Sequence, residues 1–239
     1  MAPRDISLAQ RAENTRDAQP VLRPIQFSLN EIRQHFTESM DEVKAQFVVA
    51  DQLNADKNEI ACKMVWRSQV VLAEGLLDFY IHEISKYCLV RMFSGTWPKT
   101  QKYQSFQIPM EKVENAIVEN AIATSKSNDW LFEYLNKRFS RDVFLSCESI
   151  RDQLNLIGIS FNKTMEKAFP SKNEQEAIKI GKKNITMLFQ RRNEIAHQND
   201  RSHASAEQTD ITKEFVEDYI SKIEAIVNAI QEIAEETDA

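Results

Sequence analysis

From Glu59 to Phe93 the chain reads EIACKMVWRSQVVLAEGLLDFYIHEISKYCLVRMF, with apolar residues around most of the helical circumference and no proline. A helix that is apolar on nearly every side has to be enclosed by other elements. This segment is therefore predicted as the long central helix of a bundle. Gly and Pro number only 4 and 6 in 239 residues. All-β folds spend both residues on turns, so their scarcity points the same way.

The flanking text supplies the enclosing helices. SLNEIRQHFTESMDEVKAQFVVADQLN offers Ser28 as an N-cap with Glu31 three residues on, a capping-box pattern. Its Leu29, Ile32, Phe36, Met40, Val43 and Phe47 follow the helical period. After a break at SGTWPKTQ come MEKVENAIVENAIAT, NDWLFEYLNKRF and SCESIRDQLNLIGISF, the last with Gly158 placed to end a helix. Then follow NEQEAIKIGKKNITMLFQRRNEIAH and DITKEFVEDYISKIEAIVNAIQEIAEE. In the last segment Phe215, Tyr219, Ile223, Ile226, Ile230 and Ile233 form one stripe. No repeat or strand pattern emerges. The expectation is an all-α chain: a polar arm over 1–28, a helix over 29–57 packing on or extending the bundle, and a helical domain over 58–239.

Net charge is −6, but it is sorted along the chain. Residues 207–239 hold ten acids and two lysines, whereas 172–201 hold seven basic residues and four acids. The second stretch is locally basic, and phosphate contacts depend on the local field. Its Lys182, Lys183 and Arg191 are candidate RNA contacts. In SGTWPKTQKYQSFQ, the residues Trp97, Tyr103, Phe106, Lys99 and Lys102 form either a base-stacking loop or simply a packed one. Cys62, Cys88 and Cys147 are widely spaced, without a CxxC. A reducing, cytoplasmic setting is expected. The N-terminus has no secretory h-region and no apolar run reaches the roughly 20 residues of a membrane span. The four histidines, His35, His82, His197 and His203, are scattered, and four isolated glycines make no phosphate loop. Neither a metal site nor a cofactor is expected.

One cluster stands out against this plain background: RRNEIAH at 191–197. The stripe Ile178, Ile185, Leu188, Ile195 lacks its member at 192, where Arg192 stands. Arg192 is therefore expected to face inward. Arg192 and His197 are about 140° apart on an ideal helix, so they meet at one point only in a cleft or at a helix end. The polar loop QNDRSHAS predicts that end. One reading is structural: Arg192 pairs with Glu74 or Asp78 of the central helix and His197 caps. The other is chemical. Histidine exchanges protons near neutrality, a guanidinium matches phosphate oxygens, and Asn193 orients the imidazole or a phosphate oxygen.

RRNEIAH closing a helix in an all-α chain of this size resembles the Arg–x(4–6)–His motif of the HEPN superfamily, in the flavour of the RiboL-PSP-HEPN group. VVLAEGLLDFYIHEI and SIRDQLNLIGISF resemble that group's early and middle helices, so the resemblance spans about 58–236. It implies a homodimeric, metal-independent endoribonuclease acting as a toxin or an effector of phage defence, with an antitoxin or defence-system protein as partner. Arg192, Asn193 and His197 become the catalytic positions and Glu74 or Asp78 the supporting acid. Some members continue His-x-Tyr, a site of regulatory modification; here that position is Asn199. A non-catalytic interaction or RNA-binding subunit of such a complex is the second reading, since the family also contains binding-only versions.

Overall fold

The computed structural model describes residues 25–118, 128–201 and 206–238. Among these are nine α-helices: α1 Leu29–Ala55, α2 Glu59–Ser94, α3 Gln101–Gln104, α4 Met110–Val118, α5 Asp129–Phe139, α6 Cys147–Leu156, α7 Phe161–Ala168, α8 Glu174–Gln198 and α9 Lys213–Asp238. No strand occurs among the described residues, only an isolated bridge between Arg201 and Gln208. The all-α expectation holds.

The apolar segment is α2, and its neighbours enclose it as its composition demands: α1, α5, α6, α8 and α9 all pack against it. Val70, Ala73, Leu77, Ile81, Ile84 and Cys88 are buried there. At its end Gly95 takes φ +81°, a left-handed turn that favours glycine. α1 returns along α2 after a reversal at Lys57, and Ile32, Phe36, Met40 and Val43 enter the same core. The expected capping box forms: Ser28 N donates to Glu31 Oε2 at 2.7 Å and Glu31 N to Ser28 Oγ at 3.3 Å.

The stripe of α9 is buried from Tyr219 onward, with Phe215 half-buried at its start. α8 crosses α7 so closely that a Cβ on Gly181 would lie 2.4 Å from the Met165 sulfur. Any larger residue there has to displace the Met165 side chain. α7 itself was not expected from the sequence; Ser160 caps it by accepting from Lys163 N. The loop after α2 is a packed one. Trp97 is buried with its Nε1 donating to the Ile157 carbonyl at 2.8 Å, and Lys102 pairs with Asp152. Of the arm expected over 1–28, residues 1–24 lie outside the described residues, as does the end of MEKVENAIVENAIAT, and 25–28 lead without regular structure into the Ser28 cap. No described helix is long and apolar enough to cross a membrane.

Candidate active site at the end of α8

α8 begins at the N-cap Asn173, whose side chain accepts from Glu176 N at 2.9 Å. It buries Ala177, Gly181, Ile185, Leu188, Arg191 and Ile195. The inward arginine is thus Arg191, not Arg192 as the stripe predicted. Ile178, used to set that stripe, is only half-buried, so the buried line runs one position earlier. The candidate RNA contact at Arg191 is corrected with it, because its guanidinium is occupied inside the fold.

What occupies it is Asp200, which is 1% exposed. Both terminal nitrogens of Arg191 donate to the two Asp200 carboxylate oxygens, Nη2 at 2.8 Å from Oδ2. Arg67 of α2 donates its Nε to the same Oδ2 at 2.7 Å and its Nη2 to the Thr209 carbonyl at 2.8 Å. Arg191 Nη2 also reaches the Asp210 carbonyl at 3.2 Å. Two guanidiniums on one carboxylate satisfy charges that burial alone would penalise heavily. The chain reaches this position by an abrupt end to the helix: Asn199 and Asp200 both adopt left-handed backbone, φ +51° and +61°, which Asn and Asp tolerate better than most residues. Asp200 N closes on the Glu194 carbonyl at 2.9 Å, and Thr209 N on the Asp200 carbonyl at 2.8 Å. Neither Asp200 nor Arg67 stood out in the sequence. The available signal was two arginines on a helix with one buried side, followed by an acid just past its end.

Arg192 is half-buried at the rim. Its Nη1 donates to Asn193 Oδ1 at 3.0 Å, while its Nε is buried without a hydrogen-bond partner. No ion pair to Arg192 forms among the described residues, so the expected bridge to Glu74 or Asp78 is absent. His197 is exposed in the last turn, where the helix dipole favours positive charge. Lys182 and Lys183 are exposed. With Asn193 and His197 they fall within about 100° of arc on an ideal helix. His203 lies outside the described residues.

The two candidate acids part company. Asp78 Oδ1 accepts from Phe144 N at 2.6 Å and lies 3.8 Å from His82 Nε2, holding the segment before α6. Glu74 faces α8 and α9 and is 1% exposed. Tyr219 Oη lies 3.0 Å from Glu74 Oε2 and 2.8 Å from the Leu188 carbonyl oxygen. Burial pushes the Glu74 carboxyl up to about 7, with Asp78 adding to it and the Tyr219 contact and the nearby Arg192 charge opposing it. Burial and Glu74 raise the Tyr219 hydroxyl as well. The polar role of Tyr219 was missed because the residue counted as one member of an isoleucine stripe.

The acids concentrated in α9 are tied up elsewhere: Glu224 by Lys44, Glu232 and Glu236 by Lys167, Asp238 by Arg91. A cleft of about 790 Å³ lies away from the motif, lined by Phe106, Tyr134, Phe144, Lys102 and Arg138 among others. Among the described residues no group of three His, Cys, Asp or Glu side chains is arranged to hold a metal ion.

No match was found among curated proteins or among solved structures. The family model described as RiboL-PSP-HEPN matches residues 25–236, taking in α1 as well as the helices that carried the resemblance. With the all-α bundle around α2, and with RRNEIAH closing α8, that match places the chain in the RiboL-PSP-HEPN family.

Proposed function

We propose that the protein is a metal-independent endoribonuclease acting as a toxin or antiviral effector. Membership of a HEPN family points to RNA-related chemistry. The observation that carries the finer reading is the contrast between neighbouring arginines. Arg191 is consumed by a buried carboxylate, whereas Arg192 sits at the rim with an unpartnered Nε, one residue from Asn193 and five from an exposed His197. A cation without an ion-pair partner among the described residues, near the same end of α8 as a proton carrier, suits a phosphodiester.

The reaction is transesterification. The 2′-oxygen attacks the adjacent phosphorus, the bond from phosphorus to the 5′-oxygen breaks, and the products are a 2′,3′-cyclic phosphate and a 5′-hydroxyl end. His197 moves the proton between the attacking and leaving oxygens. Arg192 meets the negative charge that grows on the phosphoryl oxygens. Asn193 aligns Arg192 through their contact and presents its amide toward the phosphate. Lys182 and Lys183 draw the RNA backbone along the outer face of α8.

A homodimer completes the site, since Arg192 and His197 point about 140° apart on one helix. A suitable face borders it. Ile60, Met64, Leu72 and Phe79 are exposed along one side of α2, next to the edge carrying Glu74 and Asp78. That same apolar stripe is the observation favouring the second reading, a binding-only subunit of a defence or toxin–antitoxin complex.

Incubating the full chain and His197→Ala with RNA in EDTA, then analysing the new ends, decides between them. Cleavage by the first protein alone, leaving cyclic phosphate, is expected. Cleavage that requires added divalent cation overturns the mechanism, and no cleavage by either protein favours the binding module.

A further inference from the structure

Tyr219 presents an arithmetic problem. Its hydroxyl lies within hydrogen-bonding distance of two oxygens, Glu74 Oε2 at 3.0 Å and the Leu188 carbonyl at 2.8 Å. A phenol owns one hydrogen, and a carbonyl and an ionised carboxylate are both pure acceptors. For each of the two contacts to carry its own hydrogen, a second proton is therefore needed. The only group able to bring it is the Glu74 carboxyl.

Resting on the ribonuclease reading above, we propose that Glu74 is a positioning residue that works in its protonated form: its carboxyl donates to Tyr219, Tyr219 donates to the Leu188 carbonyl, and the Arg192 charge is thereby left uncompensated for phosphate. Leu188 lies one turn before Arg192 on α8, so this chain of bonds anchors the turn that carries the motif arginine.

The surroundings of Glu74 agree. The groups acting on it are Tyr219 from α9, Arg192 from α8 and Asp78 from α2. Asp78 is a like charge already engaged with Phe144 N. Arg67, one face along α2, is engaged with Asp200. No cation forms an ion pair with Glu74 among the described residues, and a buried carboxylate without one is costly. Protonation removes that cost, in line with the carboxyl being held up to about 7. Losing the proton has a further effect: an anion appears beside Arg192, competes with substrate phosphate for it, and breaks the tie from Tyr219 to one side. Cleavage is therefore expected to weaken as pH rises through neutrality for a reason independent of His197.

The test uses the full chain in wild-type, Glu74→Gln and Glu74→Ala forms. Gln keeps a donor toward Tyr219 and cannot ionise. Infrared difference spectra between wild type and Glu74→Gln at about pH 6, below the raised titration point, should contain the C=O stretch of a protonated carboxyl that vanishes at about pH 8. In the cleavage assay, kcat/KM of wild type should fall across that range by roughly tenfold per pH unit at its steepest. The Glu74→Gln profile should lack this fall, and Glu74→Ala should show a raised KM that Gln restores. Absence of the infrared band at about pH 6, or an alkaline fall identical in wild type and Glu74→Gln, overturns the proposal. If no form cleaves RNA, the ribonuclease reading is lost, and the infrared band still decides the protonation of Glu74 by itself.

Discussion

Asp200 grips Arg191 edge to edge, an oxygen to each terminal nitrogen, three residues past His197 and inside the fold. Arg67 holds the same carboxylate from α2. Asp200→Ala strands two buried guanidiniums, and stranding of this kind costs about 3–5 kcal/mol. Chemical denaturation of Asp200→Ala should show a loss in that range. A loss below about 1 kcal/mol, the scale of an exposed substitution, would mean that water already reaches the clasp.

The two arginines of the motif should separate cleanly. Arg191→Ala leaves Asp200 paired with Arg67 but removes a buried two-point contact, and should destabilise the fold by about 2 kcal/mol, less than Asp200→Ala. Arg192→Ala, at the half-exposed rim, should melt within about 1 kcal/mol of wild type while losing cleavage. His197→Ala should behave like Arg192→Ala. Equal destabilisation by Arg191→Ala and Arg192→Ala would show that the rim arginine also carries structure.

Glu74 makes stability depend on pH in a definite direction. Its carboxyl titrates near 4.5 in an ordinary setting and near 7 in the fold. Between those values the folded chain holds a proton that the unfolded chain has lost. Stability from this group is therefore greatest below about pH 4.5, falls as pH rises to about 7, and is level beyond. The full swing is roughly 3 kcal/mol, from 1.36 kcal/mol per unit. Denaturation of wild type and Glu74→Gln at about pH 5 and about pH 8 should show the excess loss in wild type only; parallel behaviour rejects it.

The exposed stripe on α2 should be covered in solution. Light scattering is expected to give a dimer, and Leu72→Glu, which puts a charge in the middle of that face, is expected to give a folded monomer with reduced cleavage. A wild-type monomer with full activity would remove the second copy from the mechanism.

Much of this architecture could be read in advance because it depends on local rules. The bounds of α2 follow from its unbroken apolar text, α1 starts where the Ser28–Glu31 pair says, and α9 buries the stripe its isoleucines draw. The inward arginine was legible only to within one residue. Periodicity assumes that an inward position is apolar, so when two arginines stood in succession nothing local said which was inside. The answer is held by Asp200, nine positions after Arg191 and beyond the helix, in a left-handed backbone conformation. Likewise the separation of Glu74 from Asp78 depends on what α9 and the segment before α6 bring to each, which spacing along α2 does not contain. α7 escaped notice because a short helix offers few repeats of its period.

The base of the segment after α8 is fastened twice, by Thr209 N on the Asp200 carbonyl and by the bridge between Arg201 and Gln208. His197 thus lies upstream of a closed knot. With Arg201 and Gln208 held together in this way, exchanges or insertions between them are expected to leave the end of α8 in place.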